Sequence, residues 1–355
     1  MTRPPAAPTR DPQGVPLAAA EPKGHARVVA IDLARGVALL AMFVYHLAFD
    51  LRLFGFVDWD VAGDPLWRGF AISIASTFLF LSGASLVLAH GEGIRWHAFR
   101  RRFAIVAGSA ALVTAATLVA MPLAPVWFGI LHAVALFGLL GLAFLRLPVP
   151  AVVGTAGIVL ALPFLWRSSV FDGLGFVWLG LAEDVPPMVD HEPLFPWFAA
   201  TLLGIAAARV ALARSRPAEW VGPPRGRAGR TLAFMGRNSL PIYLVHQPVF
   251  FAILMPIAWV AGGGAPEDPL LSSFRSECTR VCEAGNPAEG YCDLVCGCVV
   301  DGVAAAGLVE PIRAAGGAST PEIDAAVGEI TRGCVAAHGG VLEDPAEPAW
   351  AAPGG

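Results

Sequence analysis

Residues 46 and 50 of this chain are a histidine and an aspartate inside DLARGVALLAMFVYHLAFDLRLFGF, which runs from Asp32 to Phe56. From Gly36 onward that stretch is apolar enough to cross a bilayer. Positions four apart share a helix face, so the imidazole of His46 and the carboxylate of Asp50 can meet. An ionisable side chain in hydrocarbon costs roughly 2.5 to 3.5 kcal/mol on insertion scales, so it persists where function or internal pairing keeps it. A neutral imidazole there can take a proton from an attacking amine or hydroxyl. The carboxylate would fix its tautomer and steady the imidazolium that results. The plain alternative is a buried polar pair that fixes helix packing.

Three further clusters bear on chemistry. His132, in WFGILHAVALFG, reaches a depth near that of His46 and is expected either to pack by hydrogen bonding or to bind an acceptor. In GRNSLPIYLVHQPVF (Gly236–Phe250), Asn238 or Ser239 is a good N-cap and Pro241 suits a first helical turn. Free backbone N–H groups at such a mouth, with Arg237 beside them, suit a phosphate. The same residues also make an ordinary capped helix. His246 and Gln247 follow one to two turns inward and can line a channel from that mouth. Asp32 and Arg35 lie three apart and can pair at the boundary of the first span, or Arg35 can turn to a bound anion.

The elements that must position these residues are transmembrane helices. Mean hydropathy is +0.63, with 56% of residues apolar and 15% charged, values typical of a polytopic membrane protein. A net charge of −4 and no basic stripe with interleaved aromatics argue against nucleic acid as a partner. About 20 residues cross the hydrocarbon. Seven stretches qualify, near 36–56, 69–90, 103–121, 125–145, 149–166, 194–213 and 240–261, the fifth being the shortest. Leu174–Leu181 is apolar but too short, and reads as interfacial or re-entrant. Arginines cluster before the first span, between the second and third, between the fourth and fifth, and between the sixth and seventh. Glu183, Asp184, Asp190 and Glu192 fall on the opposite side. The positive-inside rule then makes the N-terminus cytoplasmic and, with seven spans, the C-terminal part extracytoplasmic.

Four segments are expected: a disordered cytoplasmic tail over 1–27, a membrane domain over 28–262, a cysteine-rich helical domain over 263–342 and a disordered end over 343–355. The first 28 residues lack an apolar core and a small-residue cleavage site, so they do not read as a signal peptide. All six cysteines lie beyond the spans, at 278, 282, 292, 296, 298 and 334. Cys278-x-x-x-Cys282 and Cys292-x-x-x-Cys296 flank a turn containing Asn286-Pro287. Cysteines on adjacent turns of one helix bridge each other poorly, but bridge well across an antiparallel hairpin. That pairs Cys278 with Cys296 and Cys282 with Cys292. Cys298 and Cys334 remain to tie a helix, capped by Thr320-Pro321 and running to about Ala337, back onto the hairpin. Such bridges persist in oxidising compartments; the rival reading of the cysteines is a metal or redox site.

Asp32-x-x-Arg35-Gly36-x-Ala38, Tyr45-His46 with Asp50, FLFLSGASL (Phe78–Leu86) and GRNSLPIYLVHQPV occur in order. Together they resemble the bacterial branch of the heparan-α-glucosaminide N-acetyltransferase catalytic-domain family, over about residues 27–260. The resemblance implies a multi-helix acyltransferase of the bacterial inner membrane, embedded in lipid. It would move acetyl from cytoplasmic acetyl-CoA to an amine or hydroxyl of a glycan or lipid-linked sugar on the other side. His46 would then be the base or transient acyl acceptor and Asp50 its orienter. Arg35, Arg237, Asn238 and Ser239 would hold the CoA phosphates, and His132 and His246 would face the acceptor. Animal relatives carry their histidine further along, where this chain reads FVDWDVAGDPLWRG, and His46 takes its place here. From another class comes a proton-coupled small-molecule transporter with His46 and Asp50 as its relay, although the repeated halves such proteins show are not evident. A third reading is an inactive scaffold whose working part is the cysteine tail. Oligomeric state is left open.

Overall fold

The computed structural model describes residues 28–121, 124–186, 188–214, 224, 226–260, 269–285, 290–314 and 320–339. The expected disordered ends over 1–27 and 343–355, and the linker over 262–266, lie outside the described residues. Within the described residues there are twelve α-helices and no strand, as the all-α expectation requires. Five helices are long and apolar enough to cross a membrane: α1 (Val29–Leu53), α2 (Pro65–His90), α3 (Trp96–Ala120), α6 (Leu194–Arg214) and α8 (Ser239–Val260). Two apolar helices between them are shorter, α4 (Ile130–Phe144) and α5 (Val149–Leu165). At 15 and 17 residues they extend about 22 and 26 Å, short of a hydrocarbon core of about 30 Å.

Of the seven expected spans, five are helices of spanning length among the described residues, and shorter apolar helices stand at the other two positions. The cause at α4 is visible. Residues 124–129 leave the helix to lie beside the α5–α6 connection: Val189 N–H donates to the Ala124 carbonyl at 3.3 Å and Glu192 N–H to the Phe128 carbonyl at 3.1 Å. Leu174–Leu181, read from sequence as interfacial or re-entrant, forms turns. Its Trp178 and Leu179 carbonyls accept from Leu194 and Phe195 N–H at 2.7 and 3.0 Å, at the start of α6.

Small residues set the helix packing. A Cβ added at Gly83 would overlap the Thr201 carbonyl, and one at Gly204 the Phe80 carbonyl. At this crossing α2 and α6 therefore touch backbone to backbone, the usual device where lipid removes the hydrophobic drive between helices. Thr201 Oγ1 adds a bond to the Leu79 carbonyl at 3.3 Å. Around them Leu79, Phe137, Val152, Phe198, Leu202 and Ile205 form the main core.

The remaining short amphipathic helix of the bundle, α7 (Gly226–Arg237), packs on α1 in the same way. A Cβ at Gly36 would strike the Leu232 carbonyl and one at Gly236 the Asp32 carbonyl. Here the registers run oppositely, so α7 is antiparallel to α1. Asn238 then turns the chain: its side-chain amide and its N–H both donate to the Phe234 carbonyl, at 2.9 and 3.1 Å. Helix α8 climbs back parallel to α1, with Gln247 bonded to Asp50 and Phe251 edge-on to Phe54.

Beyond the bundle, α9 (Pro269–Ala284), α10 (Tyr291–Ala305), α11 (Val309–Ala314) and α12 (Pro321–Ala337) share a core around Leu270, Val295, Val299, Val303 and Ile312. Thr320 caps α12, its hydroxyl accepting from Ile323 N–H at 3.3 Å. The three disulfides are Cys278–Cys296, Cys282–Cys292 and Cys298–Cys334, each with a Cα separation of 5.7 Å. This is the pairing the antiparallel hairpin predicts, and it leaves no free cysteine for the rival metal or redox reading.

Candidate active site

Helices α1 and α8 supply the centre of the site. His46 on α1 and His246 on α8 lie with ring centroids 4.9 Å apart. Phe43, one turn before His46, stacks on the His246 ring at 5.7 Å and 22°. Phe250, one turn after His246, meets that ring edge-on at 5.9 Å. The parallel course of the helices makes this possible, because residues of like depth stay adjacent over two turns. Tyr45 faces His46 edge-on on one side and Trp67 of α2 on the other.

Asp50 is fully buried, but its partner is not His46. Gln247 Nε2 donates to Asp50 Oδ1 at 3.3 Å, and among the described residues no hydrogen bond joins His46 to Asp50. Sharing a helix face brings the two near, but the carboxylate turns across the α1–α8 interface. Asp50 Oδ2 and Gln247 Oε1 are both buried without a hydrogen-bond partner. His246 Nδ1 lies 2.5 Å from the Tyr243 carbonyl, and its Nε2 is buried without a partner.

The outer connection contributes an acidic segment. His191 pairs with Phe128 in an isolated bridge, and Asp190 Oδ2 accepts from Ile130 N–H at 3.0 Å, capping α4 from sixty residues away. Asp190 lies within electrostatic reach of His46, His132 and Tyr243. Burial, and then the neighbouring Asp190 carboxylate, hold Glu192 well above the usual carboxylate range. From sequence these acids served only to orient the chain; their spacing two apart gave no sign that they fold back toward the histidines.

His132 lies at the corner between α3 and α4 and is hydrogen-bonded through both ring nitrogens. Its Nδ1 accepts from Gly129 N–H at 3.3 Å, so Nε2 carries the proton and donates to Thr114 Oγ1 at 3.2 Å. The Thr114 hydroxyl passes on to the Val126 carbonyl at 2.7 Å. Both ring nitrogens are committed to holding the α3–α4 corner.

A large cavity opens at the other end of the bundle. It measures about 1080 Å³ and is lined by Asp32, Arg35, Ser85, Glu92, Arg95 and Arg209 among others. Arg35 Nη2 donates to Ser85 Oγ at 2.5 Å, and that hydroxyl donates on to the Leu81 carbonyl. Arg35 thus lies on the wall of this cavity. Arg237, Asn238 and Ser239 are not among the residues lining the cavity, although Gly236 just before them packs on the backbone of Asp32, which does line it. Arg95 and Arg209 passed from sequence as topology signals alone.

Residues 27–248 match the family described as heparan-alpha-glucosaminide N-acetyltransferase, catalytic. The chain belongs to that family. Membership implies a membrane acetyltransferase, and five span-length helices agree with it. The match takes in His46, Asp50, His246 and Gln247 and does not reach the cysteine helices. No curated protein and no solved structure matches the chain.

Proposed function

We propose that this protein takes acetyl from acetyl-CoA at the arginine-lined cavity and transfers it, at the His46–His246 centre, to an amine or hydroxyl of a glycan or lipid-linked sugar. The observation that carries the reading is the cavity's place relative to the histidines. Arg35 and His46 lie eleven residues apart on α1, about 16 Å along the axis, a depth the extended pantetheine arm of CoA can span. Three guanidinium groups suit the phosphates of the nucleotide end, each by forked charge-assisted bonds. Arg237, Asn238 and Ser239 would reach the same anion from the cavity's border.

The cavity would face the cytoplasm of a bacterial inner membrane, where acetyl-CoA is made, with lipid around the bundle. Parallel α1 and α8 put their starts on one side, which supports an odd number of crossings. Helices α4 and α5 would then cross as a pair, giving seven, and the disulfide-stapled helices would follow α8 on the acceptor side. Domain limits near residues 28, 262 and 342 fit this division.

The test uses purified full-length protein in sealed vesicles of both orientations. Radiolabelled acetyl should move to a glycan extract only when acetyl-CoA meets the cavity face. Arg35→Ala and Arg209→Ala should each raise the Michaelis constant for acetyl-CoA by about tenfold, the loss of one charged hydrogen bond. Arg237→Ala should raise it less. Transfer from donor on the acceptor side, or an unchanged Michaelis constant in both cavity variants, would refute the arrangement.

A further inference from the structure

We propose that His246, not His46, is the catalytic base, and that the atom taking the proton is Nε2; this rests on the acetyltransferase reading above. Tautomer is the first ground. A backbone carbonyl only accepts, so the Nδ1 that lies 2.5 Å from the Tyr243 carbonyl carries the hydrogen. In a neutral ring the lone pair is then on Nε2. That nitrogen is buried and bonded to nothing. An unsatisfied buried acceptor costs roughly 1 to 3 kcal/mol, so a native fold keeps one where it is used.

Orientation is the second ground. The His246 ring is 6% exposed and clamped between Phe43 and Phe250, with His46 against it. One residue on, Gln247 ties α8 to Asp50 of α1, which holds the two helices in register at this depth. A base needs this kind of fixed lone pair, and the carbonyl that orients it plays the part a carboxylate plays in a triad. Among the described residues His46 has ring contacts and no hydrogen bond. It is a positioning residue, packing against the His246 ring.

The reaction balances without another reagent. The acceptor amine or hydroxyl attacks the thioester carbonyl carbon, a C–N or C–O bond forms, and the C–S bond breaks. The acceptor's proton moves to His246 Nε2, and the imidazolium then gives it to the departing CoA thiolate. Neutral His246 is restored in each turnover.

His246→Asn is the decisive variant, because the asparagine amide can still donate to the Tyr243 carbonyl while the lone pair is lost. It should lower maximal turnover by about 100-fold or more, the usual weight of a general base, with the Michaelis constant for acetyl-CoA unchanged. His46→Asn should lower turnover by less than about tenfold. Nitrogen-15 spectra of histidine-labelled protein give a readout independent of turnover, in which His246 should be the Nδ1–H tautomer. The proposal is overturned by a His246→Asn enzyme within tenfold of wild type, by His46→Asn being the more damaging, or by a proton found on Nε2. Wild-type protein that transfers no acetyl at all would instead bring down the acetyltransferase reading, and this proposal with it, while the tautomer would still be measured on its own.

Discussion

Where α2 crosses α6, two glycines let each helix rest on the other's carbonyls; where α9 meets α10, two disulfides join helices whose shared core is a few valines and a leucine. Both regions are helical, yet different physics closes them. In lipid a side chain gains little by leaving one apolar surround for another, so close backbone approach and dispersion do the work. A domain of four short helices in water has the opposite difficulty. Its apolar drive is real, but the core is too small to outweigh chain entropy, and covalent links restrict the unfolded state instead. No cysteine lies in the bundle, and none of the described glycines in the four outer helices meets another helix's backbone.

The largest effect should come from the bundle. Gly204→Leu places a side chain where even a Cβ collides with the Phe80 backbone. Backbone cannot yield as a flexible side chain does, so the variant should lose the folded bundle and all acetyl transfer. Size-exclusion profiles in detergent, with thermal melts, check this. Gly154 on α5 has open space around its missing Cβ, so Gly154→Ala should leave the melt unchanged or slightly higher. Equal behaviour of the two would break the contrast.

A smaller, local effect is expected outside the bundle. Cys298 and Cys334 are 36 residues apart, against 10 for Cys282 and Cys292. Loop entropy makes the longer link worth about 1 kcal/mol more than the shorter, within a typical total of 2 to 4. Replacing Cys298 and Cys334 by serine should therefore speed proteolysis of α12 more than the same change at Cys282 and Cys292. Transfer by the bundle should persist in both. Lost transfer with an intact bundle would mean that the two regions work as one.

Much of this was legible in the residues. The cysteine pairing followed from i, i+4 spacing on either side of a turn, because that spacing leaves one antiparallel solution. Helix α12 followed from Thr320 and Pro321. His46, Asp50 and His246 stood out because polar groups are costly in apolar runs. Their grouping did not, since Asp50 sits one turn from His46 in sequence and its bond to Gln247 is a tertiary fact. The length of α4 was misjudged for a similar reason. Apolar content marks what can span, while partners sixty residues away drew residues 124–129 out of the helix. Arg95 and Arg209 were read only through the positive-inside rule, which hid their place on the cavity wall.

The smallest effect separates the bundle, where uncharged packing dominates, from the outer connection, where a carboxyl group is buried. Glu192 has a side-chain oxygen with no hydrogen-bond partner, and burial followed by Asp190 raises it well above the ordinary carboxylate range. The sign follows from proton counting. Below the ordinary range Glu192 is protonated whether folded or not, and its burial carries no ionic penalty. As pH rises through that range the unfolded chain ionises first and binds fewer protons, so stability falls until the folded group ionises as well. Glu192→Gln keeps the neutral form at every pH. The variant should therefore melt with the wild type near about pH 4 and above it at about pH 7 to 8, the two curves parting as carboxylates in unfolded chains titrate. Thermal midpoints at three pH values suffice to measure it. Parallel curves would show Glu192 ionised freely in the fold. A variant less stable at neutral pH would show that its charge has a partner and holds the outer connection together.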